Sequence, residues 1–211
     1  MTLISTRTPL RIAALSLALS LAPLLQGCFP LVAAGAGTAA MVASDRRQPE
    51  VMLGDERIEL IASSRISELV KDQAHVNVTA FNQTVLLTGE AISAKIKADV
   101  EKAVAEIPQV KSVVNELQVA GPSSFASRSN DTYLTGRVKA AFITGSKFSA
   151  NDVKVVTEDG VVHLMGLVTR KEADDATEIT RSTGGVKKVV RVFEYIATVP
   201  KAAVSESPAG K

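Results

Sequence analysis

Hydrophobic and polar residues alternate in two stretches of the chain that are nearly copies of each other. Positions 76–89 read VNVTAFNQTVLLTG and positions 153–166 read VKVVTEDGVVHLMG, and the two align without a gap. Alternation with a period of two is typical of strands with one buried face. Each stretch therefore predicts two short antiparallel strands. The turn at Asp159-Gly160 is a strong type I′ signal, and that at Asn82-Gln83 is a weaker one.

Helical patterns flank both pairs of strands. A first helix is predicted over 56–71 in one copy and 131–144 in the other, and a second helix over 93–106 and 171–182. A third strand closes each copy, in the related segments VKSVVNELQV and VKKVVRVFEY. The pattern predicts an α+β fold of two tandem αββαβ domains, each a three-stranded mixed sheet packed on two helices.

The N-terminus has the composition of an export signal. Arg7 and Arg11 precede an apolar run that is too short for a confident transmembrane helix. The segment Leu25-Gln26-Gly27-Cys28 resembles the lipobox of bacterial lipoproteins, in which the cysteine is lipidated and the chain is cut before it. This resemblance predicts lipidation of Cys28, and Phe29 in place of an aspartate implies transfer to the outer membrane. An ordinary signal peptide followed by an unrelated cysteine is the alternative.

The repeat and the composition together divide the chain into six segments. They are a lipoprotein signal peptide (1–27), the lipidated cysteine with a tether (28–54), domain 1 (55–120), a linker (121–128), domain 2 (129–197) and a disordered tail (198–211).

The repeated unit resembles the BON domain. That family's pattern is Val-x-Val, then Val-x-Leu-x-Gly, then Gly/Pro-Val-x-x-Val. The segments 129–132 (SNDT) and 164–169 (LMGLVT) are especially close to the members of the family that carry two such domains. A lipobox followed by two such units is similar to the dual BON-domain outer-membrane lipoproteins. The resemblance implies a protein on the inner leaflet of the outer membrane that helps to keep that membrane intact. It also implies binding of anionic phospholipid through the second domain.

The overall charge balance argues against a nucleic acid as partner, so any charge-driven binding must come from local asymmetry. The chain has 24 basic and 22 acidic residues, so loss of the segment containing Arg7 and Arg11 leaves equal numbers. A balanced chain is not a bulk nucleic-acid binder. Charge is nevertheless uneven between the copies: positions 132–151 contain three basic residues and no acid, whereas 55–75 contain five acids and three bases. Such divergence indicates that the two domains have divided their tasks.

The basic helix of domain 2 contains the candidate lipid-binding surface. Helical spacing places Leu134, Val138 and Phe142 in the core. An outer face remains, formed by Tyr133, Gly136, Arg137, Lys139, Ala140 and Ile143. An aromatic ring beside cations is what an anionic membrane interface favours. An ordinary solvated helix with chance charge is the alternative.

The remaining chemistry-bearing residues do not form a reactive site in the sequence. The chain has one cysteine, and His75 and His163 lack the neighbours of a metal site. No known catalytic motif is present. We therefore expect no enzyme, no cofactor, no metal and no small-molecule substrate. The alternative to a phospholipid-binding envelope protein is an adaptor for outer-membrane assembly or quality-control machinery, with domain 1 as the surface for a protein partner.

Overall fold

The computed structural model describes residues 45–71 and 73–199. The predicted signal peptide, Cys28, most of the tether and nearly all of the tail lie outside the described residues. Within the part of the chain that the structure describes, no helix is long and apolar enough to cross a membrane.

Domain 1 contains two helices and a mixed sheet. Its elements are α1 (Pro49–Val70), β1 (Ala74–Phe81), β2 (Thr84–Ala91), α2 (Ala94–Ala105), β3 (Ser112–Asn115) and β4 (Gln118–Val119). β1 and β2 are antiparallel with Val78 opposite Leu87, while β3 and β4 both run parallel to β2. The last strand is thus split in two, because the chain leaves the ladder where Leu117 turns into the core. This sheet has four strands rather than the three that were predicted.

Domain 2 repeats this order. Its elements are α3 (Phe125–Gly145), a 3₁₀ turn (Ala150–Asp152), β5 (Lys154–Glu158), β6 (Val161–Val168), α4 (Arg170–Arg181) and β7 (Lys188–Tyr195). β5 and β6 are antiparallel with Val155 opposite Leu164, and β7 runs parallel to β6 over eight residues. The predicted α+β fold of two duplicated units is confirmed.

The first helix of each domain begins earlier than the sequence pattern indicated. α1 starts at Pro49, inside the predicted tether, because proline is well suited to the first helical position. α3 starts at Phe125, inside the predicted linker, where the Ser124 side chain accepts a hydrogen bond from the Ser127 N–H and caps the helix. Only positions 121–124 of that linker lie outside regular structure.

A buried carboxylate stabilises the hairpin turn of each domain. Asp131 accepts hydrogen bonds from the N–H groups of Asp159 and Gly160, at 2.9 and 2.8 Å. Asp55 does the same for Asn82 and Gln83, at 2.8 and 2.7 Å. Both turns have positive φ at their two central residues, as a type I′ turn requires. The carboxylate explains how the first turn forms without a glycine.

Two hydrophobic cores lie between the helices and the sheets, one in each domain. Leu134, Val138 and Phe142 are buried in the second core, as predicted. A third cluster joins the outer faces of the two sheets and contains Phe81, Leu86 and Met165. The sheets therefore pack against each other and the helices lie on the outside, an arrangement that the sequence did not indicate.

Candidate membrane-binding site

The outer face of α3 is open to solvent along its whole length. All six residues predicted for this face are exposed: Tyr133, Gly136, Arg137, Lys139, Ala140 and Ile143. Tyr133 and Ile143 are 66% and 67% exposed. Because the opposite side of α3 is buried in the core, these residues form one surface on one rigid helix. Their role in lipid binding stays a prediction.

Arg137 is partly engaged by its own domain. Its Nη1 donates a hydrogen bond of 2.8 Å to the carbonyl oxygen of Gly184, and its guanidinium carbon lies 5.9 Å from the centroid of the Tyr133 ring. These contacts hold the guanidinium beside the ring. A cation and an aromatic ring are thereby presented together, at the edge of the exposed face.

Sequence reasoning missed the N-terminal turn of this surface. Phe125 is 79% exposed, and Arg128 is exposed one turn further along. At 100° per residue, Phe125 and Ile143 lie on the same side of α3, about 27 Å apart. The exposed face therefore has a large apolar residue at each end and Tyr133 between them. The Ser124 cap was the signal that could have revealed this extension.

The C-terminal half of the exposed face borders a cleft between the two domains. The cleft has a volume of about 310 Å³. Lys139 and Ile143 of α3 line one side, and Arg47 and Phe81 contribute from domain 1. The remaining lining residues come from the segment that follows α3: Ala150, Asn151, Val153 and Lys154. Two residues predicted from sequence thus meet two residues that lie far away in the chain.

Arg46, at the end of the tether, is bound firmly to domain 2. It donates two hydrogen bonds to the Glu172 carboxylate, at 2.9 and 2.7 Å, and one to the carbonyl oxygen of Leu167 at 2.8 Å. Its Nη2 is also 2.7 Å from Asp152 Oδ2. The hydrogen bonds from Arg46 lower the pKa of Glu172 to about 2. Burial raises the pKa of Asp152 despite the opposing effect of Arg46.

The next residue, Arg47, is bound to domain 1 instead. Its Nη1 donates to Asp55 Oδ2 at 2.9 Å, and its Nη2 pairs with Asp45 Oδ2 at 2.8 Å. Its guanidinium carbon lies 4.1 Å above the Phe81 ring. Asp45, Arg46 and Arg47, here called the strap, therefore contact both domains at the point where the tether joins the folded body.

Among the residues that the structure describes, neither histidine has the neighbours that a metal site needs. His163 is buried between the sheets, where burial lowers its pKa, and its Nε2 is 3.8 Å from Glu116 Oε2. His75 Nδ1 is 3.5 Å from Glu90 Oε2. Across residues 45–71 and 73–199, no group of three or more His, Cys, Asp or Glu side chains is suitably placed for a metal ion.

Comparison with known families and proteins agrees with this architecture. A family model described as the BON domain matches residues 55–121 and 130–197. Both copies of the repeat are therefore matched, and the resemblance expected from the sequence is confirmed.

Related proteins come from several bacteria. The chain is 35% identical over 193 residues to the outer membrane lipoprotein DolP of Haemophilus influenzae, covering 90% of this chain and 99% of that protein. It is 30% identical over 154 residues to the 21 kDa hemolysin of Actinobacillus pleuropneumoniae, covering 72% and 79%. It is 31% identical over 117 residues to osmotically-inducible protein Y of Escherichia coli, covering 54% and 58%.

Proposed function

We propose that this chain, which belongs to the BON-domain family, is an outer-membrane lipoprotein whose second domain binds anionic phospholipid and thereby supports the integrity of that membrane. The observation that carries the proposal is the exposed face of α3. The proposal assigns the anchor to Cys28 and the lipid contact to Tyr133, Arg137, Lys139 and Ile143. It includes no catalytic step and no cofactor.

The energetics suit a second contact that supplements a lipid anchor. A fully buried large apolar side chain contributes about 1.5–3 kcal/mol, and partial insertion of Phe125, Tyr133 and Ile143 contributes less for each. Each cation near an anionic surface adds about 1 kcal/mol. A total on the order of 5 kcal/mol corresponds to a dissociation constant near 0.2 mM. That affinity is weak for a free protein and sufficient for one already held at the membrane.

The position of the strap is compatible with this arrangement. Arg47 lines the same cleft as Lys139 and Ile143, so the tether joins the body beside the exposed face of α3. The chain between Cys28 and Asp45 can span up to about 60 Å when extended. The anchor would therefore allow α3 to lie against the membrane that holds the lipid.

Co-sedimentation with vesicles tests the proposal. The protein is a chain that begins at position 28 and carries Cys28→Ser, which keeps every described contact because both cores lie within residues 45–199. We expect it to sediment with phosphatidylglycerol vesicles and not with phosphatidylcholine vesicles at low salt. The triple variant Tyr133→Ala, Arg137→Glu, Lys139→Glu should lose this binding.

A charge-matched control distinguishes binding by the exposed face of α3 from a general effect of the protein's net charge. The variant Lys102→Glu, Lys111→Glu makes the same change in charge at two exposed positions of domain 1. It should bind nearly as well as the unmodified protein. Equal loss in both variants would mean that net charge alone governs binding. Absence of binding by the unmodified protein would refute the proposal and favour the adaptor, for which Leu53 and Leu60, exposed on α1, are the first residues to vary.

A further inference from the structure

We propose that the cleft between the domains is a subsite for the phosphodiester headgroup of one anionic phospholipid, with Lys139 and Lys154 as its cations. This inference rests on the proposed function and extends the lipid contact from Lys139 on α3 to Lys154 on β5. The cleft joins three elements of domain 2 (α3, the 3₁₀ turn and β5) to Phe81 of domain 1 and Arg47 of the strap, so the subsite exists only when the two domains are packed together.

The polar part of the lining suits an anion. Its described residues include three cations and Asn151, and no carboxylate. Lys139 is exposed and has no carboxylate partner within the part of the chain that the structure describes. It is therefore the first cation that an entering phosphate would meet.

The other two cations of the lining, Lys154 and Arg47, form ion pairs with carboxylates. Lys154 Nζ lies 3.1 Å from Glu59 Oε1 and 3.3 Å from the carbonyl oxygen of Ala80, with 39% of its side chain exposed. Arg47 is paired with two carboxylates, Asp45 and Asp55, and lines the cleft without serving as a ligand. To turn toward an anion, Lys154 gives up one partly exposed ion pair and its hydrogen bond to the Ala80 carbonyl oxygen, whereas Arg47 would have to leave two carboxylates.

Glu59 makes this exchange feasible. Its Oε1 also accepts a hydrogen bond of 2.7 Å from the Ala80 N–H, so the carboxylate keeps a partner when Lys154 moves away. The side chains of this pair are 39% and 32% exposed, so solvent weakens their attraction. A phosphate that recruits Lys154 therefore loses little of its binding energy to the broken pair.

The apolar part of the lining suits the carbon atoms next to a phosphate. Phe81, Ala150 and Val153 form the interior, and Ile143 stands at the rim with 67% of its surface exposed. A volume of about 310 Å³ is at the lower end for small-molecule sites. It can hold a glycerol phosphodiester but not the acyl chains. Because Ile143 and Lys139 also belong to the exposed face of α3, the cleft opens toward the surface on which the lipid would lie.

Two single substitutions in one ion pair test the subsite. Lys154→Gln removes the cation, whereas Glu59→Gln removes its carboxylate and leaves the lysine available. With the chain described above, we expect Lys154→Gln to weaken binding to phosphatidylglycerol vesicles about fivefold, the effect of one cation near an anionic surface. Glu59→Gln should leave the affinity unchanged or raise it, and Lys154→Arg should restore it.

The opposite directions of the two effects separate a lipid-binding role of Lys154 from a structural one, and the charge-matched control Lys102→Gln, at an exposed position of domain 1, should leave binding nearly unchanged. If the Lys154–Glu59 pair merely holds the domains together, both substitutions should weaken binding alike, and that result would overturn the subsite. The variant Tyr133→Ala, Arg137→Glu changes α3 without touching the cleft. Loss of binding in that variant, with Lys154→Gln unaffected, would reject the subsite while leaving the proposed function standing.

Soluble probes distinguish a lipid from a free phosphate compound. Dihexanoyl phosphatidylglycerol, below its micellar concentration, should shift the amide resonances of Lys139, Asn151 and Lys154 in two-dimensional nuclear magnetic resonance spectra. Glycerol 3-phosphate at the same concentration should shift them much less, because it is a monoester that lacks the second ester group and the acyl chains, which would lie against Ile143 outside the cleft. Equal shifts with both probes would contradict a lipid headgroup as the ligand.

Discussion

Substitution of Arg46 by alanine should destabilise the folded protein more than any change at an exposed ion pair. The side chain of Arg46 is 10% exposed, and its partners Asp152 and Glu172 are 4% and 12% exposed. Removing one member of a buried ion pair costs about 3–5 kcal/mol, because the remaining charge stays in a poorly solvated place. Glu172 keeps hydrogen bonds from the N–H and hydroxyl of Thr169, which reduces the cost. We expect a loss of about 2–3 kcal/mol in the free energy of unfolding.

The pH dependence of this loss follows from the pKa of Glu172. Arg46 holds that pKa at about 2, below the ordinary value of 4.5. The stabilisation is therefore complete above pH 4.5 and disappears as the pH falls through about 2. The difference between the unmodified protein and Arg46→Ala should thus be largest at pH 7 and should shrink at pH 3, since Glu172 without its partner is then mostly protonated.

Urea unfolding followed by circular dichroism at pH 7 and pH 3 measures both quantities. Arg191→Ala is the matched control, because Arg191 pairs with Asp174 at 2.8 Å while the two side chains are 42% and 69% exposed. The control should change the free energy of unfolding by less than about 0.5 kcal/mol. A loss below 0.5 kcal/mol for Arg46→Ala, or a loss that is the same at both pH values, would refute the role given to the strap.

Two further predictions concern the backbone. Gly89→Ala should prevent correct folding or cost more than about 3 kcal/mol, because Gly89 has φ +112° and a Cβ would lie 2.1 Å from the His75 carbonyl oxygen. Gly136→Ala should instead stabilise α3 by about 0.5–1 kcal/mol, because a Cβ there meets nothing within 4 Å, and thermal unfolding would reveal both effects. Asp131→Ala should lower the free energy of unfolding in urea by about 2 kcal/mol, because two N–H groups of the turn lose their acceptor. The control Asp174→Ala, at an exposed site, should lower it by almost nothing.

The parts of the structure that follow from local pattern could be predicted from the sequence. The spacing of Leu134, Val138 and Phe142 identifies the buried side of α3, and the side facing solvent follows from it. The two hairpins follow from the alternation of their strands. The turn at Asn82-Gln83 looked weak because its support, Asp55, lies a whole helix earlier in the chain.

The features that depend on distant parts of the chain could not be predicted. The strap has no periodicity, and Arg46 finds its partner Glu172 across 126 positions. The two sheets pack through their outer faces, and the sequence pattern of a single domain predicts that these faces are exposed to solvent. The cleft beside Lys139 arises only from that packing, so its residues from domain 1 have no signature in the sequence.

The most direct test of the central claim is the depth of α3 in an anionic membrane. The chain contains no tryptophan, so Tyr133→Trp introduces a single tryptophan on the exposed face, which can be excited selectively. In phosphatidylglycerol vesicles with brominated acyl chains, its emission should shift to shorter wavelength and be quenched. A tryptophan in place of Tyr195, which is 45% exposed on β7, should not respond. An unquenched tryptophan at position 133, or equal quenching at both positions, would contradict the assignment of membrane binding to α3.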